Sequence, residues 1–180
     1  MNRTIAIAIA LLCTACGTAG TAGTVGTAGT VTAQTAEPAP LLLEPGRLED
    51  GRTWTVAGTS AGTWQELDAD LVPCGKPGIV PAEAVTRWRS FKATDGATVT
   101  QVVVSGVDAM DAFKSFHAEC GAVGSVESVA GPKNVARHDG EVEVAAMSKD
   151  RFILLGGTVP DTQLQRFAET ARTHLDTVPS

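Results

Sequence analysis

The chain has 180 residues, 43% hydrophobic and 19% charged, with four cysteines, three tryptophans and no tyrosine. Its 20 acidic residues outweigh 14 basic ones, for a formal net charge of -6. No Lys/Arg cluster of the kind that tracks phosphates interrupts that excess, which argues against nucleic acid as a partner and against a polybasic hold on anionic lipid.

The first residues read as an export signal. Arg3 supplies positive charge, residues 5–12 are an unbroken run of Ile, Ala and Leu, and a small-residue site follows. The run is too short to span a bilayer, which needs about 20 apolar residues. Leu12-Cys13-Thr14-Ala15 leads into Cys16 in the manner of a bacterial lipobox, with Cys13 standing where Leu is usual. Choosing Cys13 as the lipidated residue would put Leu12 at a cleavage position that wants a small side chain, so residues 1–15 are read as the lipoprotein signal peptide and Cys16 as the acylated residue. Cys13 and Cys16 also spell C-x-x-C, but cleavage discards Cys13.

Five G-T-[AV] triplets then run over residues 17–31, and a Thr/Ala/Pro stretch continues to Pro40. So few large apolar side chains cannot offset the entropy of ordering, and residues 16–40 are expected to be a disordered tether. Its mean reach is on the order of 25 to 30 Å.

A single globular domain is expected over residues 41–180. Leu41-Leu42-Leu43 is a first apolar contact, Asp50-Gly51 a turn, and residues 52–57 a short strand around Trp54 and Val56. Trp64, Leu67 and Leu71 have helical spacing ahead of Pro73 and Cys74. Residues 84–92 alternate, Thr94-Asp95-Gly96 turns the chain, and residues 97–105 return as the second strand of a hairpin. Gly106 breaks that strand. Ala109, Phe113, Phe116 and Cys120 then mark one face of a helix, with Ser105 and Asp108 placed like a capping pair. The pattern repeats: residues 141–147 and 151–159 flank the Lys149-Asp150 turn, and Leu164, Phe167, Ala168, Ala171 and Leu175 line a last helix. Residues 121–140 connect the two halves, with one more short strand near 134–138. The expected fold is α+β, two hairpin-helix units forming an antiparallel sheet with both helices packed on one face. Once the signal is removed, Cys74 and Cys120 are the remaining pair for a disulfide, a bond worth about 4 kcal/mol in the chain-entropy model.

Few constellations carry chemistry. Residues 58–62 match G-x-S-x-G, which would make Ser60 a hydrolase nucleophile with His138 or His174. That motif needs a parallel sheet with crossover helices, whereas this chain reads as antiparallel hairpins, so Ser60 is assigned to a loop and no catalytic residue is expected. His117 and Cys120 are spaced H-x-x-C, but no second ligand pair accompanies them and a disulfide-bonded cysteine offers no thiolate, so no metal or cofactor is expected. His138 is read as part of a polar turn, and His174 sits in a last helical turn that favours a cation. Trp54, Trp64 and Trp88 are set against two readings, core filler and the lining of a small ligand pocket, with Arg87 and Arg89 on the opposite strand face.

A lipobox at Cys16, a Thr/Gly tether and a body with Cys74 before the first hairpin and Cys120 at the end of the first helix resemble the actinobacterial sensor-like lipoproteins, similar to the extracellular domain of the PknH type of receptor kinase. The resemblance covers residues 41–175. It implies a non-enzymatic binding or sensing module on the extracytoplasmic face of the cell membrane, taking an unknown small ligand or envelope protein. The kinase domain has two disulfides where this chain can form one, and no ligand residue is carried over. An accessory scaffold acting through a protein partner is the second reading, and a serine hydrolase using Ser60 the third.

Overall fold

The computed structural model describes residues 41–68 and 71–179. The expected signal, Cys16 and the tether lie outside the described residues. Seven strands form one sheet: β1 Trp54–Thr63, β2 Val85–Ala93, β3 Thr98–Ser105, β4 Ser125–Val129, β5 Lys133–His138, β6 Glu141–Ser148 and β7 Arg151–Gly157. Among the described residues two α-helices accompany the sheet, α1 Ala109–Gly121 between β3 and β4, and α2 Asp161–Thr177 after β7. The spatial order is β1-β2-β3-β7-β6-β5-β4, with every neighbouring pair antiparallel.

Two corrections to the expected architecture follow. The β2–β3 and β6–β7 hairpins are each followed by a helix, but β1 on one edge and β4 and β5 on the other extend the sheet to seven strands, with β4 to β7 running as a continuous meander. The helices also lie on opposite faces. Val99 and Val103 of β3, Ile153 and Leu155 of β7, and Val144 and Ala146 of β6 share a core with Leu164, Phe167, Ala171 and Leu175 of α2. The alternate residues Val102 and Val104, Phe152 and Leu154, and Ala145 share a second core with Ala112, Phe116 and Cys120 of α1. Because successive side chains of a strand point to opposite faces, these alternating sets place one helix on each side. The runs Val102-Val103-Val104 and Phe152-Ile153-Leu154-Leu155 carry the same information: a strand apolar at every position is covered twice.

Neither helix covers its face alone. Leu41, Leu42 and Leu43 join the α2 core, where the Leu43 amide donates to Gln101 Oε1 at 2.8 Å. Trp64, Leu67, Ile79, Val80 and Ala84 join the α1 core. The segment from Trp64 to Val80 forms short 3-10 turns at Trp64–Glu66, Pro73–Gly75 and Pro77–Ile79 in place of the expected helix. Pro73 and Pro77 open their turns, a position where no amide is needed, and neither can continue a helix from the residues before it. Glu66 Oε2 accepts the Thr63 amide at 2.7 Å, closing a capping box on the first turn.

Local signals are otherwise as the residues dictate. Asp108 itself caps α1, accepting from the amides of Met110 and Asp111, both at 3.0 Å, so the expected pairing with Ser105 is not used. The β5–β6 and β6–β7 turns place Asp139, Gly140 and Lys149 at positive φ. Cys74 and Cys120 are joined as expected, with Cα atoms 5.3 Å apart, and the bond ties the end of α1 to the Pro73–Gly75 turn.

Candidate functional site

Residues that pair across neighbouring strands form rows over the sheet, and one row explains a cleft on its surface. Glu143 of β6 stands opposite Gly156 of β7, and Gly156 stands opposite Thr100 of β3. The missing side chain at Gly156 leaves a trough between a carboxylate and a hydroxyl. The next row inward, Ala145, Leu154 and Val102, closes the trough with buried apolar groups. The result is a cleft of about 480 Å³, flanked by Leu71, Thr98, Glu141 and Thr158, a size ordinary for a small-molecule site. Thr98 and Thr158 are already coupled, the Thr98 amide donating to Thr158 Oγ1 at 2.9 Å, and Thr100 pairs with Ser90 at 2.9 Å between hydroxyls. Two carboxylates line the cleft, and Lys, Arg and His are missing from its described lining.

Glu143 links the cleft to the disulfide. Its residue exposure is only 7%, yet Oε2 accepts the Cys74 amide at 2.7 Å, lies 3.3 Å from Cys74 Sγ and meets His138 Nε2 at 3.1 Å. Burial pushes the Glu143 carboxyl above the usual carboxylate range. The hydrogen bonds from Cys74 and His138 pull the other way, and the neighbouring charge of Glu141 adds to the rise. Cys74 holds its position with φ at 53°, a left-handed conformation that costs free energy outside glycine and turns its amide toward Glu143. The arrangement therefore has a buried acid, an imidazole and a disulfide in contact at one end of an open cleft.

A second hollow of about 560 Å³ lies at the start of α1, with Asp108 and Asp111 as its ionisable groups. Asp108 is already spent on the helix cap there, so the hollow offers less chemistry.

The three tryptophans do not converge. Trp54 packs in the α2 core, edge-on to Phe167 with centroids 6.0 Å apart, and its Nε1 donates to Asp50. Trp64 lies in the α1 core and donates to the Pro77 carbonyl at 2.8 Å. Trp88 is half-buried against that same core, and none of the three lines the cleft. Their spacing in the sequence carried no information about which face each would take. Of the flanking arginines, Arg89 is engaged by Thr59, the Leu43 carbonyl and Glu44.

Ser60 lies within β1, paired with Trp88 in a register unbroken from Gly58 to Thr63, so the sharp turn that a nucleophile elbow requires does not occur there. His138, one of its notional partners, is bonded to Glu143. His117 is exposed on α1 while Cys120 is buried, which separates the H-x-x-C pair. Sequence reasoning missed Glu143 altogether. The only available signal was a charged residue at a position of β6 whose neighbours, Val142, Val144 and Ala145, are apolar.

No family model matches the chain, and no curated protein matches it significantly. A search of solved structures finds a GTP binding regulator from Thermotoga maritima at 15% identity, covering 75% of this chain and 92% of that one, with a TM-score of 0.45.

Proposed function

We propose that this chain is a non-enzymatic binding module of the sensor-like lipoprotein kind, held on the extracytoplasmic face of a membrane by lipid on Cys16, with its ligand seated in the cleft over β3, β7 and β6. The reading rests chiefly on the Gly156 gap, which opens a trough between the Glu143 carboxylate and the Thr100 hydroxyl on an otherwise close-packed sheet. The lining selects the ligand: two carboxylates, three threonine hydroxyls and apolar walls suit a small cation that also carries hydroxyls, such as an amino sugar. Glu143 places its three contacts on Oε2, which leaves Oε1 for the ligand. The lipobox and tether supply the address, and the disulfide suits a domain that works outside the cytoplasm.

Thermal-shift measurement of the full chain against amino sugars and short polyamines tests the ligand. A concentration-dependent rise in Tm that disappears in Gly156→Leu supports the reading; no rise across the panel, or a rise that survives the substitution, overturns it. Fractionation tests the address, since Cys16→Ala is expected to leave the membrane pellet.

A further inference from the structure

Beside the cleft lies a donor set of a different kind. Cys74 Sγ, a ring nitrogen of His138 and a carboxylate oxygen of Glu143 all lie within 4.8 Å of one another. Cys120 Sγ is bonded to Cys74 Sγ, so breaking that bond frees a second thiol next to these three groups. The four come from the Pro73–Gly75 turn, the end of α1, the end of β5 and the third residue of β6, so separate elements fix them independently. Side-chain exposures of 11% for His138 and 9% for Glu143 place them away from bulk water, unlike the surface acidic groups that gather without purpose.

We propose that Cys74, Cys120, His138 and Glu143 form a divalent-metal site, best suited to zinc, that the disulfide closes and reduction opens. Zinc takes four ligands from Cys, His and carboxylate, each at about 2.0 to 2.3 Å, and once both sulfurs are thiolates these four residues supply that set of ligand types. A Cα separation of 5.3 Å lets two cysteines reach a single ion by side-chain rotation. The oxidised protein offers only His138 and Glu143, because disulfide sulfur is not a thiolate ligand. Opening the site requires a reductant: a trialkylphosphine takes the oxygen of one water and leaves as phosphine oxide, its electron pair cleaves the S–S bond, and the two protons of that water go to the two sulfurs. Zinc then displaces both thiol protons to the buffer. His138 and Glu143, which contact each other in the oxidised form, turn their lone pairs to the ion. The site shares Glu143 with the cleft but needs no ligand there, so metal binding and ligand binding are read by separate measurements.

Cobalt is the probe, since tetrahedral thiolate coordination gives it a sulfur-to-metal charge-transfer band and strong visible bands. The full chain is used with Cys13→Ala and Cys16→Ala, which removes the two competing N-terminal thiols. With phosphine, one cobalt per chain is expected to produce both sets of bands, and zinc to abolish them; without phosphine, none. Glu143→Gln and His138→Ala are each expected to weaken binding at least ten-fold, and His117→Ala to leave it unchanged. Circular dichroism follows the fold throughout, and if reduction loosens the domain, metal should restore it. Absence of the bands in reduced protein, failure of metal to restore a loosened fold, or unchanged affinity in both the Glu143 and His138 variants would each overturn the proposal.

Discussion

Glu143 and Cys74 stand 69 positions apart in the chain, yet a carboxylate oxygen of one accepts the backbone amide of the other at 2.7 Å. That bond joins the central part of the sheet to the proline-rich segment, and it places a buried acid next to the disulfide and the cleft together.

Glu143 should make stability fall as pH rises. Its folded pKa is raised by burial, so the protonated form is favoured in the native state; its contribution is fully present below the ordinary carboxylate value of 4.5 and is lost as pH climbs through the raised value. Urea midpoints measured from about pH 4 to about pH 8 are expected to decline in the native protein and to decline less in Glu143→Gln, whose amide does not ionise. Parallel curves would count against burial as the dominant influence.

Glu169 has the opposite sign. Hydrogen bonds from Arg172 and Lys133 bring its carboxyl down to about 2, so its contribution is present above 4.5 and is lost as pH falls from there through about 2. The Lys133 Nζ contact, 2.9 Å, spans β5 and α2. The Glu169 side chain is 40% exposed, and solvent screening reduces the loss expected for Lys133→Met to about 0.5 to 1 kcal/mol. The loss should shrink below pH 4.5 and in high salt, which chemical denaturation at two ionic strengths would read.

Replacing both Cys74 and Cys120 with Ala is expected to cost about 4 kcal/mol, the loop entropy of a bridge whose ends are 46 positions apart. The check is the urea midpoint under non-reducing conditions.

Adjacent glycines should respond differently to the same change. A Cβ on Gly157 would run into the backbone carbonyl of Thr98, which cannot move without breaking the sheet, so Gly157→Ala is expected to cost about 1 to 3 kcal/mol. A Cβ on Gly156 meets nothing nearer than Glu143 Cγ at 3.8 Å, an ordinary contact, and Gly156→Ala is expected to stay within about 0.5 kcal/mol of the native protein. Thermal unfolding of the two variants side by side decides it.

Trp54→Ala removes the ring that meets Phe167 edge-on and leaves Asp50 without its indole donor. A loss of about 3 to 5 kcal/mol is expected in denaturant titration. Trp54→Phe, which keeps most of the apolar volume, should lose markedly less.

Much of the local structure was legible along the chain. The alternation of residues 84–92, the Asp95-Gly96 and Lys149-Asp150 turns and the apolar stripe of the last helix mark β2, β3, β6, β7 and α2 to within a few residues, because each depends on near neighbours. The two edge strands were harder. β4 is five residues long with little burial, and β1 continues through the glycines at 58 and 62, where pairing with β2 compensates for weak intrinsic preference.

The sequence by itself determined the run of hairpins and the two amphipathic helices, since these follow from side-chain chemistry and from periods of two and about 3.6 residues. Only the tertiary structure decided which face each helix covers, where each tryptophan goes and that Glu143, His138 and the disulfide meet. Those outcomes depend on strand order and register: shifting a strand by one residue would exchange the faces, turning Glu143 away from Cys74 and filling the trough that Gly156 leaves open.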